Sequence, residues 1–279
     1  MEEKTLHRPI MVNGVIKFLI QKEDGLYIDA TLGCGGHSLA ILSSSRNSVI
    51  GIDLDPDQIR IATERLSNFM ERFLPVQANY RFIDQFITKK VDGVLFDLGY
   101  SSYQLDNPVR GFSYRENGPL DMRYGKHGIT AYDLIENRNQ DEIADLIYHY
   151  GGEHNSRRIA RKIKEKKPRT TGELAILVRK SFPREKGHKH LGRIFQALRI
   201  AVNKEMENIE EGIIGASKIL KKKGRLVIVS YHSEEEKLIC RKARELELKS
   251  LTKRVVTPDR IEFQENPRCR SAHLRAFER

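Results

Sequence analysis

Residues 27–38 read YIDATLGCGGHS. An apolar run ends on an acid, Asp29, and glycines at 33, 35 and 36 then strip side chains from the backbone before a helix begins near His37. Backbone bared in this way lets another group come close, and glycine also reaches left-handed conformations that other residues avoid. A strand, a tight glycine turn and a helix N-terminus form the opening unit of an open α/β sheet, in which ligands lie beyond the carboxyl ends of the strands. The plainer account is a tight strand–helix turn and nothing more.

Outward from this stretch the alternation continues. Residues 26–31 form the first strand of the pattern, a helix runs from His37 to Ser44, and 49–53 (VIGID) form a second strand. Asp55 caps the next helix, with Pro56 at its first position, and Ile59, Ala62, Leu66 and Phe69 supply an apolar face at helical spacing. A weaker strand over Leu74–Gln77, a helical stretch and the strong strand VDGVLFDLG at 91–99 follow. Such alternation predicts a parallel sheet covered by helices on both faces.

After Gln104 the pattern changes. Residues 107–129 are rich in Gly, Pro, Asn and Arg and read as an ordered loop. Helices are expected at 130–137, 140–150, 155–167 and 171–181, the last capped by Thr170 or Thr171, with no strand among them. One long helix from Arg193 to Lys222 should close on Gly224 as its C′ residue. A strand returns at 225–231 (RLVIVSY), then a helix from Ser233 and weaker strands near 249–256 and 270–278. The expected organisation is an α/β domain of residues 1–106 and 205–279, interrupted by a helical insert, 107–204.

Composition narrows the partners. The chain has 279 residues, 39% of them hydrophobic, enough for a sizeable core. No apolar run reaches the roughly 18–20 residues that cross a bilayer. Met1–Pro9 is charged and lacks a signal-peptide core, so a cytosolic protein is expected. Cys34, Cys240 and Cys269 lack the spacing of a disulfide framework or zinc site, and no metal is expected. The formal charge of +11 favours a polyanionic partner. It concentrates at 157–169 (RRIARKIKEKKPR), at 179–193 (RKSFPREKGHKHLGR) and in Arg268, Arg270 and Arg275. Such blocks are often solvated helix faces; three on one chain point to nucleic acid.

The chemistry-bearing residues fall at five strand ends: Asp29 with Gly33–His37, Asp53, Asn79–Tyr80, Asp97–Gln104 and Tyr231–Ser233. A dinucleotide loop, G-x-G-x-x-G, would need a third glycine where Ser38 stands. Asp29, Gly33 and Gly35 instead give acid-x-x-x-G-x-G, which resembles the first motif of S-adenosylmethionine-dependent methyltransferases. Free N–H groups at the start of the helix suit a ligand carboxylate, and Asp53 suits two ribose hydroxyls. Tyr80 has two readings of nearly equal weight, a partner for adenine or a core aromatic. DLGYSS (97–102) resembles the (D/N/S)-P-P-(Y/F/W) motif of enzymes that methylate exocyclic amines, with Leu98-Gly99 in place of the prolines. An acceptor at Asp97 would restore nucleophilic character to an amine lone pair delocalised into its ring, and Tyr100 would stack on that ring. Asp97 could equally hold the cofactor's amino group. In SYHSEEEK (230–237) Ser233 and Glu236 have the spacing of a capping box, with His232 beside them. Gln196, Arg199 and Asn203 share one helical stripe, either solvated or meeting phosphate or a base edge.

Nearly end to end, the chain resembles the bacterial family that methylates the N4 amine of a cytidine in 16S ribosomal RNA. The stretches that carry this are YIDATLGCGGHS, GIDLDP, DGVLFDLGYSSYQLD, RGFSY, GPLDMR, FQALRIAVNKE, GRLVIVSYHSEE and NPRCRSAHLR. The resemblance implies a class I methyltransferase fold, α/β and Rossmann-like with a mostly parallel seven-stranded sheet, carrying an inserted all-α domain. It implies S-adenosylmethionine as cofactor and a cytidine of the decoding region as substrate, within the small ribosomal subunit. By position, Gly33, Gly35, Gly36, His37, Asp53, Tyr80, Asp97 and Gln104 would meet the cofactor, and Asp97 and Tyr100 would serve catalysis. Ser101, Ser102, Arg110, Arg199, Asn203 and His232 would meet RNA. Tyr100 and Tyr103 stand where the family has a small aliphatic residue and a proline. A DNA or other-RNA amine methyltransferase, and a non-catalytic RNA-binding protein of the same fold, are the rival readings.

Overall fold

A computed structural model describes residues 9–183 and 187–279; the side chains of Ser102 and His188 lie outside the described set. The charged stretch Met1–Arg8 and residues 184–186 of the second basic block lie outside it as well. The chain divides into two compact units, Met1–Ser101 with Met206–Arg279, and Ser102–Glu205.

The first unit is built on seven strands, numbered along the chain: β1 (Leu26–Asp29), β2 (Ser48–Asp53), β3 (Phe73–Gln77), β4 (Val91–Asp97), β5 (Leu220–Ser230), β6 (Lys249–Ser250) and β7 (His273–Glu278). They lie in the order β3-β2-β1-β4-β5-β7-β6. The first five run parallel, and β7 is antiparallel to both β5 and β6. The order reverses between β1 and β4, and a reversal of this kind opens a ligand crevice. Val91–Phe96 are all buried, because helices cover both faces and leave no polar side for the strand to alternate with. Val94, Phe96, Leu226 and Ile228 enter one core, whereas Leu95, Val227 and Val229 enter the other.

Helices α1 (Val12–Leu19), α2 (Gly36–Ser44) and α3 (Pro56–Arg65) belong to the second of these cores, and α4 (Ile83–Phe86), α11 (Glu205–Ile219) and α12 (Ser233–Glu245) to the first. α13 (Arg260–Glu265), which sequence pattern did not announce, precedes β7. Asp55 caps α3 by accepting from Asp57 N–H, with Pro56 at the first position as expected.

The second unit is helical: α5 (Ser102–Leu105), α6 (Ala131–Asn137), α7 (Gln140–Gly151), α8 (Ser156–Lys166), α9 (Thr171–Arg179) and α10 (Gly187–Asn203). Thr130, Asn139 and Thr170 cap α6, α7 and α9. Its core runs from Phe112 to Leu198.

The single long helix expected over 193–222 is a correction. The chain breaks at Lys204, whose φ of 51° is left-handed, and α11 ends at Ile219. Arg199 and Glu205 hold the break with two hydrogen bonds of 2.8 and 2.9 Å. Nothing in the local pattern marks Lys204, since lysine is a good helix former and the apolar spacing continues through it. Gly224 is not a helix C′ residue either. It lies within β5, where Lys223 donates to the carbonyl of Arg279 and Arg279 donates to that of Gly224.

Candidate functional site

The carboxyl ends of β1, β2, β4 and β5 are joined by hydrogen bonds between residues far apart in sequence. Asp29, at the end of β1, is buried and accepts from the Ser38 hydroxyl at 2.8 Å, tying the strand to the first turn of α2. Burial pushes its carboxyl above the usual range, against the favourable field of His37 and the Ser38 hydrogen bond. The N–H of Gly33 donates to Asp53 Oδ2 at 2.8 Å, and the N–H of Asp55 to Asp53 Oδ1 at 2.8 Å. Each oxygen keeps a further lone pair for an outside donor. Desolvation pushes Asp53 up to about 6, despite these two backbone hydrogen bonds.

The glycines divide by role. Gly33 and Gly35 have φ of 52° and 78°, where any side chain would strain the backbone. A Cβ on Gly35 would meet Ala62 and Leu66 at 3.2 Å, and one on Gly36 would meet the Pro9 ring at 3.0 Å. At these two positions the group that comes close is the chain itself. At Gly33 the nearest such atom is Gln58 Oε1 at 3.4 Å, a buried oxygen without a hydrogen-bond partner among the described residues. Helix α2 begins at Gly36, one residue before expectation, so the N–H groups of residues 36–38 stand at its open end.

Asp97 is held from three sides. Its N–H donates to Thr31 Oγ1 at 2.6 Å, the Tyr231 hydroxyl donates to its Oδ1 at 2.7 Å, and His37 Nδ1 lies 3.5 Å from its Oδ2. His37 Nε2 faces the carbonyl of Ile10 at 2.9 Å, a contact that needs its hydrogen on Nε2. Burial raises the Asp97 carboxyl; His37 and the Tyr231 hydrogen bond oppose the rise, and Glu235 adds to it. The Tyr231 hydroxyl is pushed well above the ordinary tyrosine range by burial and the adjoining Asp97 charge.

The sequence places Tyr231–Ser233 at this strand end and gives a role to His232 but none to Tyr231. The capping box is also shifted by one residue: His232, not Ser233, is the cap of α12, and its partner is Glu235, not Glu236. Glu235 is buried and accepts from the N–H groups of Tyr231 and His232. His232 Nδ1 accepts from Glu235 N–H at 3.4 Å, and its Nε2 lies 3.1 Å from Glu235 Oε1. The signal for Tyr231 was its place in the alternation after Val227 and Val229, which sets it on the face shared with Leu95.

Tyr80, after β3, meets Phe96 edge-on at 5.3 Å, and its ring lies so close to α11 that a Cβ on Gly212 would come within 2.7 Å. The ring is half-buried, and packing accounts for that side of it. Gly99, with φ of 110°, makes the turn after β4, and Tyr100 beyond it is 42% exposed. Leu98, in the place of a proline, is buried in the core. Ser101 is half-buried and ends the first unit.

Three of the residues expected to meet RNA are engaged inside the second unit. Arg199 is buried and forks onto Glu205. Asn203 accepts from Tyr124 N–H and donates to Met122 O, both at 2.8 Å. Arg110 donates to the carbonyls of Arg123 and Tyr124. Asn203 and Arg110 thus bond to main-chain groups of residues 122–124, and Arg199 to the acid that opens α11. Gln104 is buried on α5. The Ser102 side chain is outside the described set. Arg275 likewise pairs with Glu236 at 2.8 Å, whereas Arg268 and Arg270 are exposed.

A sheet of this order, with a glycine loop after its first strand and an acid closing its second, defines a class I S-adenosylmethionine-dependent methyltransferase. The glycine turn, the open end of α2 and the spare lone pairs of Asp53 fit that cofactor. The chain belongs to the MraW methylase family, whose model matches residues 4–279. It is 40% identical to a Carboxydothermus hydrogenoformans protein named ribosomal RNA small subunit methyltransferase H, over 98% of this chain and 97% of that one. A Gloeobacter violaceus protein of the same name is 41% identical over 99% of this chain and 88% of its own. Among solved structures, an rRNA methylase from Streptococcus thermophilus covers 96% of this chain and 93% of its own, at 13% identity and a TM-score of 0.45.

Proposed function

We propose that the protein methylates the N4 amine of a cytidine in the decoding region of 16S ribosomal RNA, in the cytoplasm and on the small ribosomal subunit. The observation that carries this reading is Asp97, half-buried at the end of β4 and oriented by Thr31, Tyr231 and His37. The names borne by relatives of about 40% identity supply the RNA.

When bound, S-adenosylmethionine supplies a methyl carbon carried on a positive sulfur. Asp53 would take the ribose hydroxyls on its spare lone pairs, and the N–H groups of residues 36–38 would face the carboxylate. Gly33 leaves the main chain bare beside them, with Gly35 and Gly36 shaping the turn. Tyr80 would border the adenine. Gln104 is assigned to the cofactor on family resemblance alone.

An aromatic amine is a weak nucleophile because its lone pair is shared with the ring. An N–H donated to Asp97 holds the amine in one orientation and returns density to nitrogen, while Tyr100 would stack on the pyrimidine. As the methyl group passes from sulfur to nitrogen, Asp97 would take the proton that the nitrogen releases. Positioning and fixed charge carry the rate. The target base must leave its stack, at a cost of a few kcal/mol.

Mass spectrometry of ribosomal RNA nucleosides from a deletion strain tests the product. Loss of N4-methylcytidine is expected; an unchanged profile refutes the reading. Methyl-transfer assays on naked 16S rRNA and on isolated small subunits, run side by side, locate the substrate.

A further inference from the structure

The eight basic residues of 157–169 are not equivalent. Lys164 donates to the carbonyls of Ile135, Glu136 and Arg138, Lys167 pairs with Glu136, and Arg169 lies over the Tyr132 ring. These cations close the end of α6 and stabilise the unit. Arg157, Arg158 and Lys162 differ: on α8, whose buried face is Ile159, Ala160 and Ile163, the two arginines are exposed and Lys162 is half-buried at the edge of that face, and none has an ion pair among the described residues.

Beside the start of α8 stands an aromatic group that no core accounts for. Tyr148, near the end of α7, is 48% exposed. The His154 ring meets it at 6.0 Å, and that of His149 at 5.2 Å, both edge-on. The connection that carries His154 is pinned from beneath. Glu153 is buried and accepts from His190 Nδ1 at 2.5 Å and from both the N–H and the side chain of Asn155. Gly152, with φ of 60°, ends α7. The platform is therefore set before anything binds.

An exposed ring held rigid next to unpaired cations is the chemistry that takes single-stranded nucleic acid: the ring stacks on a base and the cations meet the flanking phosphates. We infer that Tyr148, His154, Arg157, Arg158 and Lys162 form a docking site for an unpaired nucleotide of the substrate RNA, apart from the residues that carry out methyl transfer. This rests on the ribosomal RNA reading above, and it narrows the RNA contact to one face of the second unit.

The test uses the full-length protein and 16S rRNA, with affinity measured as a function of salt. The triple variant Arg157→Ala, Arg158→Ala, Lys162→Ala should bind at least about tenfold more weakly at physiological salt. Its log-affinity against log-salt slope should be shallower by about two, since each lost phosphate contact on a single strand removes roughly 0.7. Tyr148→Ala should lose about tenfold and Tyr148→Trp should retain affinity. In methyl transfer, KM for RNA should rise while kcat and cofactor affinity stay put. Unchanged affinity and slope in the triple variant would overturn the docking site. Should the wild type bind 16S rRNA and place no methyl on it, the proposed reaction fails, and the same salt series still decides the surface.

Discussion

The strand-end site of the first unit and the loop of the second unit are both built from polar side chains at the ends of regular elements, and they use them differently. Asp53 and Asp97 accept from groups inside the fold yet keep lone pairs unspent, and desolvation raises both carboxyls. Arg199, Asn203 and Arg110 are spent on their neighbours: an ion pair, a backbone bridge and two carbonyls. Polarity at an element end therefore does not identify a site. A polar group held in place with bonding capacity left over does.

The sharpest way to break this contrast is to remove a partner in the spent set. Arg199→Ala leaves Glu205 buried without its cation, and should cost about 3–5 kcal/mol of stability in urea or thermal unfolding. Replacing both residues by apolar ones of similar size should recover most of that. If Arg199→Ala unfolds like the wild type and instead loses RNA affinity, the pair belongs with the functional set.

Asp53→Ala should do the reverse. Two charge-assisted hydrogen bonds to the cofactor are worth about 3 kcal/mol or more together, so calorimetry should show S-adenosylmethionine affinity down by about a hundredfold. The fold should persist in circular dichroism, and Asp53→Asn should fall between.

Tyr231→Phe probes a partnership that only the structure disclosed. It removes the donor to Asp97 Oδ1, and kcat should fall about tenfold, near 1.4 kcal/mol, with cofactor affinity little changed. That hydrogen bond lowers the Asp97 pKa, so its loss must raise it, and the variant should lose more activity at pH 6 than at pH 8. A uniform loss across pH would mean that Tyr231 acts through packing alone.

The smallest effect is the pH dependence of the ligand-free protein. Asp53 is raised from 3.8 to about 6 on folding. The folded state thus holds the proton more tightly, and this contribution to stability is complete below about 4 and lost as pH rises through about 6. Cofactor binding should run the opposite way, since ribose hydroxyls need the carboxylate; affinity should weaken as pH falls below about 6. Calorimetry and thermal melts between pH 5 and 8 check both signs, and parallel trends would show that Asp53 is not the group that titrates.

Much of this was legible beforehand. The strands of the first half, the cap at Asp55, the cap at one of Thr170 and Thr171, and the acids closing β2 and β4 all follow from spacing within a dozen residues. The break at Lys204 was not legible, because the residue that stabilises the turn is a buried arginine paired with the acid after the break. Nor was the packing around the loop glycines legible: a Cβ at Gly35 would meet α3 and one at Gly36 would meet Pro9. The cap of α12 fell one residue early, because histidine is an unusual cap and the run of acids offered two spacings.

Local order along the chain determined the alternation of strands and helices, the glycine turn and the family to which the protein belongs. Tertiary structure alone decided that Tyr231 meets Asp97 across 134 residues, that His37 faces the same carboxyl, and that Arg199 pairs with Glu205. Periodicity and capping depend on neighbours a few positions away, so sequence records them directly. Whether a polar group is spent or spare depends on partners that only folding brings within 3 Å.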